Sequence, residues 1–153
     1  VLFSISKSFA YLSFKIVSYE NYNKNDMNEF LEHTMVKINL MSEIEIRSLK
    51  NTFIDCMKKA KILFEKDYFA KPSKRKETPN PISKTLFESI GYTLDKYKIE
   101  DIDNNKLKLR EKIYELYEDE EFILKTSVAT NNPPQVRYRF SKFQELFKNV
   151  IGY

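Results

Sequence analysis

Apolar residues recur at helical intervals along almost the whole chain, with polar residues filling the faces between them. Leu2, Phe3, Ile5, Phe9, Leu12, Ile16 and Val17 open the pattern. Met27, Phe30, Leu31, Met35 and Ile38 then fall on one helical face behind an Asp26-x-x-Glu29 start. Ser42 with Glu45 is a capping box, in which hydroxyl and carboxylate each satisfy an amide that the first turn leaves unpaired. It precedes the longest run: Ile46, Leu49, Phe53, Cys56, Met57, Ala60, Leu63 and Phe64, a helix of about six turns.

Pro72, Pro79 and Pro81 break the pattern over residues 65–81, and Asn80-Pro81 reads as the cap and first residue of the next helix. That helix carries Ile82, Leu86, Phe87, Ile90, Leu94 and Tyr97. Another spans about 104–118, with Leu107, Leu109, Ile113, Leu116 and Tyr117. A short turn around Phe122-Ile123-Leu124 and a polar loop from Thr126 to Gln135 come next. Val136, Phe140, Phe143, Phe147 and Val150 mark a last helix that Gly152 stops. No segment alternates as a strand does, and no internal repeat is found. The expected fold is all-α: a single helical-bundle-like domain of six or seven helices. Its loops at 65–81 and 125–135 are the expected carriers of function.

Composition narrows the chemistry. With 153 residues the chain is long enough for one core, burying roughly two-thirds of its unfolded surface. Two glycines, Gly91 and Gly152, cannot build a phosphate-cradling loop, and one His and one Cys cannot supply a His/Cys zinc site or a disulfide. No catalytic residue and no cofactor is expected. Lys7 and Lys15 interrupt the opening apolar run before it is long enough to span a bilayer, and no leader cleavage site is seen. A reducing, cytoplasmic setting without membrane contact is therefore expected. Because the chain starts at Val1 inside a helical pattern, we expect a piece of a longer protein, with residues 1–25 as a helix linking to a domain before it.

The net charge of +4 is unevenly placed. Lys58 to Lys84 holds nine Lys or Arg against three acids, a local +6, whereas Glu111 to Glu121 holds six acids against one Lys. Lys71-Pro72-Ser73-Lys74-Arg75-Lys76 is the strongest polyanion signal, three consecutive cations on a proline-flanked loop that can reach successive phosphates. Arg137, Arg139 and Lys142 form a second basic group. Spacing of two puts the arginines on different faces, one packing or pairing with the acidic run and one pointing outward. Tyr11, Tyr92, Tyr114 and Tyr138 do not interleave with the cations as a stacking platform would.

Other chemistry-bearing residues have plainer readings. His33 lies opposite its helix's apolar face and reads as a solvated side chain. Cys56 lies within an apolar stripe and reads as a buried structural thiol. Glu118-Asp119-Glu120-Glu121 reads as a helix-end or capping cluster. Gly91, inside a helical pattern, reads as a point of close helix packing.

The order of several elements resembles a known family. These are Met27-Asn28-Glu29-Phe30-Leu31 with Met35; Phe53, Ala60, Phe64 and Phe69; Asn80-Pro81-Ile82-Ser83-Lys84-Thr85-Leu86-Phe87-Glu88; and Phe122, Thr126-Ser127, Thr130, Arg137 and Arg139-Phe140. Over residues 26–150 they resemble the C-terminal helical region of the GmrSD-type, ParB-like nuclease/NTPase family (domain of unknown function 262). The resemblance implies a component of a bacterial defence system that restricts foreign or modified DNA. The family's proposed catalytic segment, an N-terminal α/β domain with an Asp-Gly-Gln-Gln-Arg motif, has no counterpart here. The expectation is therefore a non-catalytic accessory domain whose partners are a ParB-like catalytic domain and DNA. Lys71, Lys74, Arg75, Lys76 and Lys84 would touch phosphate, and Arg137 and Arg139 phosphate or the neighbouring domain. The alternative is a structural or protein-interaction module with no nucleic-acid contact.

Overall fold

Most of the helices begin where a side chain or a proline supplies what the first turn's amides lack. The structure is a computed structural model that describes Lys15 and residues 18–65, 69–70 and 82–152. Helix α1, Met27–Asn39, starts at Asp26, whose carboxylate accepts from the amides of Asn28 and Glu29. Helix α2, Glu43–Phe64, starts at the expected capping box: Glu45 accepts from the Ser42 amide at 2.7 Å and the Ser42 hydroxyl from the Glu45 amide. Ser83 caps α3, Lys84–Leu94, and the Asp101 carboxylate accepts from the Lys98 amide at the start of α4, Ile99–Leu116. Asp119 caps α5, Glu120–Ser127. Pro133 and Pro134 open α6, Pro133–Ile151, and Gly152 closes it at φ 86°, a left-handed position that favours glycine.

The all-α expectation therefore holds, with six α-helices and no strand among the described residues. Several boundaries differ from the sequence reading. The segment Phe122–Leu124 is part of helix α5, not a turn, so the polar loop shrinks to residues 128–132. Helix α4 begins five residues early. Helix α3 begins at Lys84 behind Ser83, while Asn80 and Pro81 lie outside the described residues, as does most of the 65–81 loop. The expected linking helix over 1–25 also falls largely outside them. Its described end, however, is a 3-10 turn, Tyr19–Asn21, followed by non-helical chain to Met27.

Helix α6 is the hub. Val136, Phe140, Phe143 and Phe147, spaced four, three and four, form its buried stripe, and it packs on α3, α4 and α5. Helix α2 lies over α4 and α3 through Cys56, Ala60 and Leu63. There the Cys56 thiol donates to the Gly91 carbonyl at 3.3 Å, which bears out both the buried thiol and the close packing at Gly91. Each buried aliphatic or aromatic side chain here contributes about 1.5–3 kcal/mol.

A second, smaller cluster joins Tyr19, Tyr22, Met27 and Phe30 to Val136 and Phe140, with the Tyr19 ring stacked on Phe140 at 4.6 Å. Its α1 members, Met27 and Phe30, lie at the start of that helix, and Thr34 one turn on is also buried. Beyond it, α1 and α2 diverge from the Leu40–Ser42 corner instead of packing side by side. The corner stands out from the bundle, with Leu40 and Ile44 each 81% exposed. Among the described residues no helix is long and apolar enough to cross a membrane.

Candidate nucleic-acid interface

Of the residues named from the sequence as phosphate contacts, Lys71, Lys74, Arg75 and Lys76 lie outside the described residues. The other three are Lys84, Arg137 and Arg139, and all three interact with groups inside the domain.

Arg139 is the clearest departure. Its spacing along α6 puts it next to the buried stripe, and it is only 1% exposed. One guanidinium nitrogen meets Glu88 of α3 at 2.8 Å, and another donates to the Thr130 carbonyl. Glu88 is equally buried, at 1%. Arg139 thus pairs across the core with Glu88, not with the acidic run Glu111–Glu121, and offers solvent no face for a phosphate. The neighbouring residue Ala129 sits at φ 49°, a left-handed conformation costing a non-glycine residue about 1 kcal/mol or more.

Lys84, 42% exposed at its side chain, stands one turn before Glu88 with its ammonium 3.7 Å from the carboxylate's second oxygen. That oxygen is buried and makes no hydrogen bond, so Lys84 supplies its counter-charge. Arg137 points outward, as expected of one of the two arginines. Its guanidinium donates to the Tyr22 carbonyl at 3.2 Å and so ties α6 to the segment before α1. The Tyr22 hydroxyl in turn donates to the Asn131 carbonyl at 2.6 Å. Burial pushes the hydroxyls of Tyr22 and Tyr117 up, against the lowering pull of Arg139, and both stay neutral.

The plainer readings hold where they are described. His33 is exposed. In the acidic cluster, Asp119 accepts from the Phe122 amide at 2.7 Å, while Glu120 and Glu121 occupy the first turn of α5, where the helix dipole favours them. Tyr138 is flanked by the ammonium groups of Lys125 and Lys142, at 4.3 and 5.7 Å from its ring, but Lys125 is also paired with Glu121 at 2.7 Å. Among the described residues no three His, Cys, Asp or Glu side chains converge as a metal site. A surface groove of about 540 Å³ between α4 and α6 balances three lysines, Lys108, Lys112 and Lys142, against Glu115, Asp119 and Glu145. Its lysines at 112 and 142 are already paired with Glu115 and Glu145.

The sequence reading missed the basic face of α2. Arg47, Lys50, Lys58 and Lys61 are all exposed, and with Ile54 between them they follow spacings of three, four, four and three, which places them on one side of the helix. None has an ion-pair partner among the described residues. The acids of α2 and of its C-terminal cap are engaged elsewhere or stand apart: Asp55 pairs with the buried Lys59 at 2.5 Å, the capping Glu65 with Arg110 at 2.7 Å, and Glu45 belongs to the N-terminal cap. Glu43, one turn before Arg47, makes no ion pair with it. The signal is present in the sequence as helical spacing of cations, although Lys58 and Lys61 also adjoin the basic loop beyond.

The chain matches no protein-family model, no curated protein and no solved structure.

Proposed function

We propose that the chain is a non-catalytic helical accessory domain of a bacterial DNA-restriction protein, of the kind that its resemblance to the GmrSD-type family implies. It helps to position DNA or to pack the catalytic domain. One observation carries this reading: Glu88 and Arg139, positions of the resembled pattern 51 residues apart, meet in one buried contact that the Thr130 carbonyl joins. Pattern positions that converge in one contact support taking the pattern as one helical unit. The exposed, unpaired cations of α2 support the nucleic-acid part of the reading.

The test is duplex DNA binding by the whole chain, followed by fluorescence anisotropy through a salt series. Weak binding that falls steeply with salt is expected, because neutralised phosphates release counterions. No binding even at low ionic strength would refute the DNA role.

A second reading, a structural or protein-interaction module with no nucleic-acid contact, is favoured by the projecting apolar corner at Leu40 and Ile44. Under it, charge reversal at Lys74, Arg75 and Lys76 leaves binding to a ParB-like catalytic partner unchanged, whereas Leu40→Ser with Ile44→Ser abolishes it.

A further inference from the structure

We infer that the outward face of α2 is a phosphate-binding ridge for duplex nucleic acid, with Arg47 and Lys50 engaging one strand and Lys58 and Lys61 the other. The inference rests on the nucleic-acid reading above and goes beyond it in naming the surface and the form of the ligand.

Three features of the helix argue for it. The first is that these cations have no ion-pair partner among the described residues. Elsewhere on the surface Lys24, Lys106, Lys112 and Lys125 sit within 2.6–2.9 Å of a carboxylate, and Lys37, Lys108 and Lys148 stand exposed on three different helices, whereas this one face gathers four unpaired cations. The second is position along the helix. Basic residues near a helix C-terminus complement its dipole, which accounts for Lys61. Arg47 and Lys50 lie in the second and third turns, near the positive end, where the dipole gives no reason for them.

The third feature is spacing. At 1.5 Å per residue, the two pairs are centred about 16 Å apart on one rigid helix. The major groove of B-form DNA is about 12 Å wide, so a helix laid across it sets one pair over the phosphates of each strand. Ile54 lies between the pairs, 40% exposed, and faces the groove. The capping box holds the first turn of α2 in place, so Arg47 is presented by formed helix although the corner projects from the bundle.

Only phosphate contacts are assigned to this face, so the binding is insensitive to sequence. Four contacts give a slope of log affinity against log salt of about −3.6, a loss of roughly a hundredfold between 50 and 200 mM salt.

The experiment compares the wild-type chain with two variants, Arg47→Gln/Lys50→Gln and Lys58→Gln/Lys61→Gln, against a 20-base-pair duplex through a salt series. Circular dichroism confirms that each variant is folded. Each pair of substitutions is expected to weaken binding roughly tenfold at 50 mM salt and to flatten the slope by about 2. Wild-type affinity and slope in both variants, with the wild type binding DNA, would overturn the ridge and leave the broader reading standing. No duplex binding by the wild type would overturn both. A parallel measurement uses vesicles of phosphatidylserine and phosphatidylcholine: wild-type protein that sediments with them and ignores the duplex also overturns the proposal, because the same cations would then serve an anionic lipid surface.

Discussion

Arg139 and the cations of α2 carry the same charge under opposite conditions. Arg139 sits inside the α3–α6 contact with Glu88 against it, Lys84 beside the carboxylate and the Thr130 carbonyl on its other side. Arg47, Lys50, Lys58 and Lys61 are exposed on a helix face with no acid engaged to them among the described residues. A buried pair is held because breaking it strands a charge in a medium that cannot solvate it. An exposed cation can be removed with little effect on the fold, so its cluster on one face points to a partner outside the domain. The sign of a residue thus says less about its role than whether its counter-charge lies within the same chain.

The largest effect expected from this contrast is on stability. Arg139→Met leaves Glu88 buried without its partner and should cost about 3–5 kcal/mol in urea denaturation. Adding Glu88→Leu should recover much of that loss, because two apolar side chains of similar size then fill the site. A double variant as unstable as the sum of the single ones would show that the two residues act independently, and the comparison would break on its buried side.

A smaller effect belongs to the cap that holds the first turn of α2. Ser42→Ala should cost about 1 kcal/mol. The same contact makes stability depend on pH. The hydroxyl and then the amide of Ser42 hold the Glu45 carboxyl below its ordinary range. A carboxyl whose folded value is depressed contributes above its unfolded value, and the contribution is lost as pH falls through the folded one. Urea midpoints taken from neutral to acid pH should therefore fall less steeply in Glu45→Gln than in the wild type. Equal curves would show that the cap carries no pH dependence.

The smallest expected effect is itself informative. Lys58→Gln/Lys61→Gln should change stability by no more than about 0.5 kcal/mol, since neither side chain has a partner to lose. A larger loss by urea denaturation would mean that this face is structural.

How much of this was legible in the sequence varies with the range of the interaction. The capping box at Ser42 and Glu45, the buried stripe of α6 and its Gly152 stop are local patterns and could be read directly. Helix α5 could not: in eight residues it buries only Phe122 and Thr126, too few apolar positions to show a helical period. The start of α4 was hidden because Lys98 is not a capping residue type and the cap is provided by Asp101. The role of Arg139 depends on Glu88, 51 residues away, and no local pattern carries that pairing. The basic face of α2 was legible in principle. Its cations obey the same three-and-four spacing as the apolar stripe, but which of them lack a carboxylate beside them is set by the folded chain.

The contrast between engaged and unengaged cations is tested most directly by duplex binding of two variants matched in charge. Lys58→Gln/Lys61→Gln removes two unpaired lysines from α2, whereas Lys106→Gln/Lys112→Gln removes two from α4 that are already paired with Asp103 and Glu115. Both lower the net charge equally. The expected result is a salt slope flattened by about 2 in the α2 variant and unchanged in the α4 variant. Equal losses in the two would show that net charge alone attracts the duplex, and would contradict the assignment of binding to one helix face.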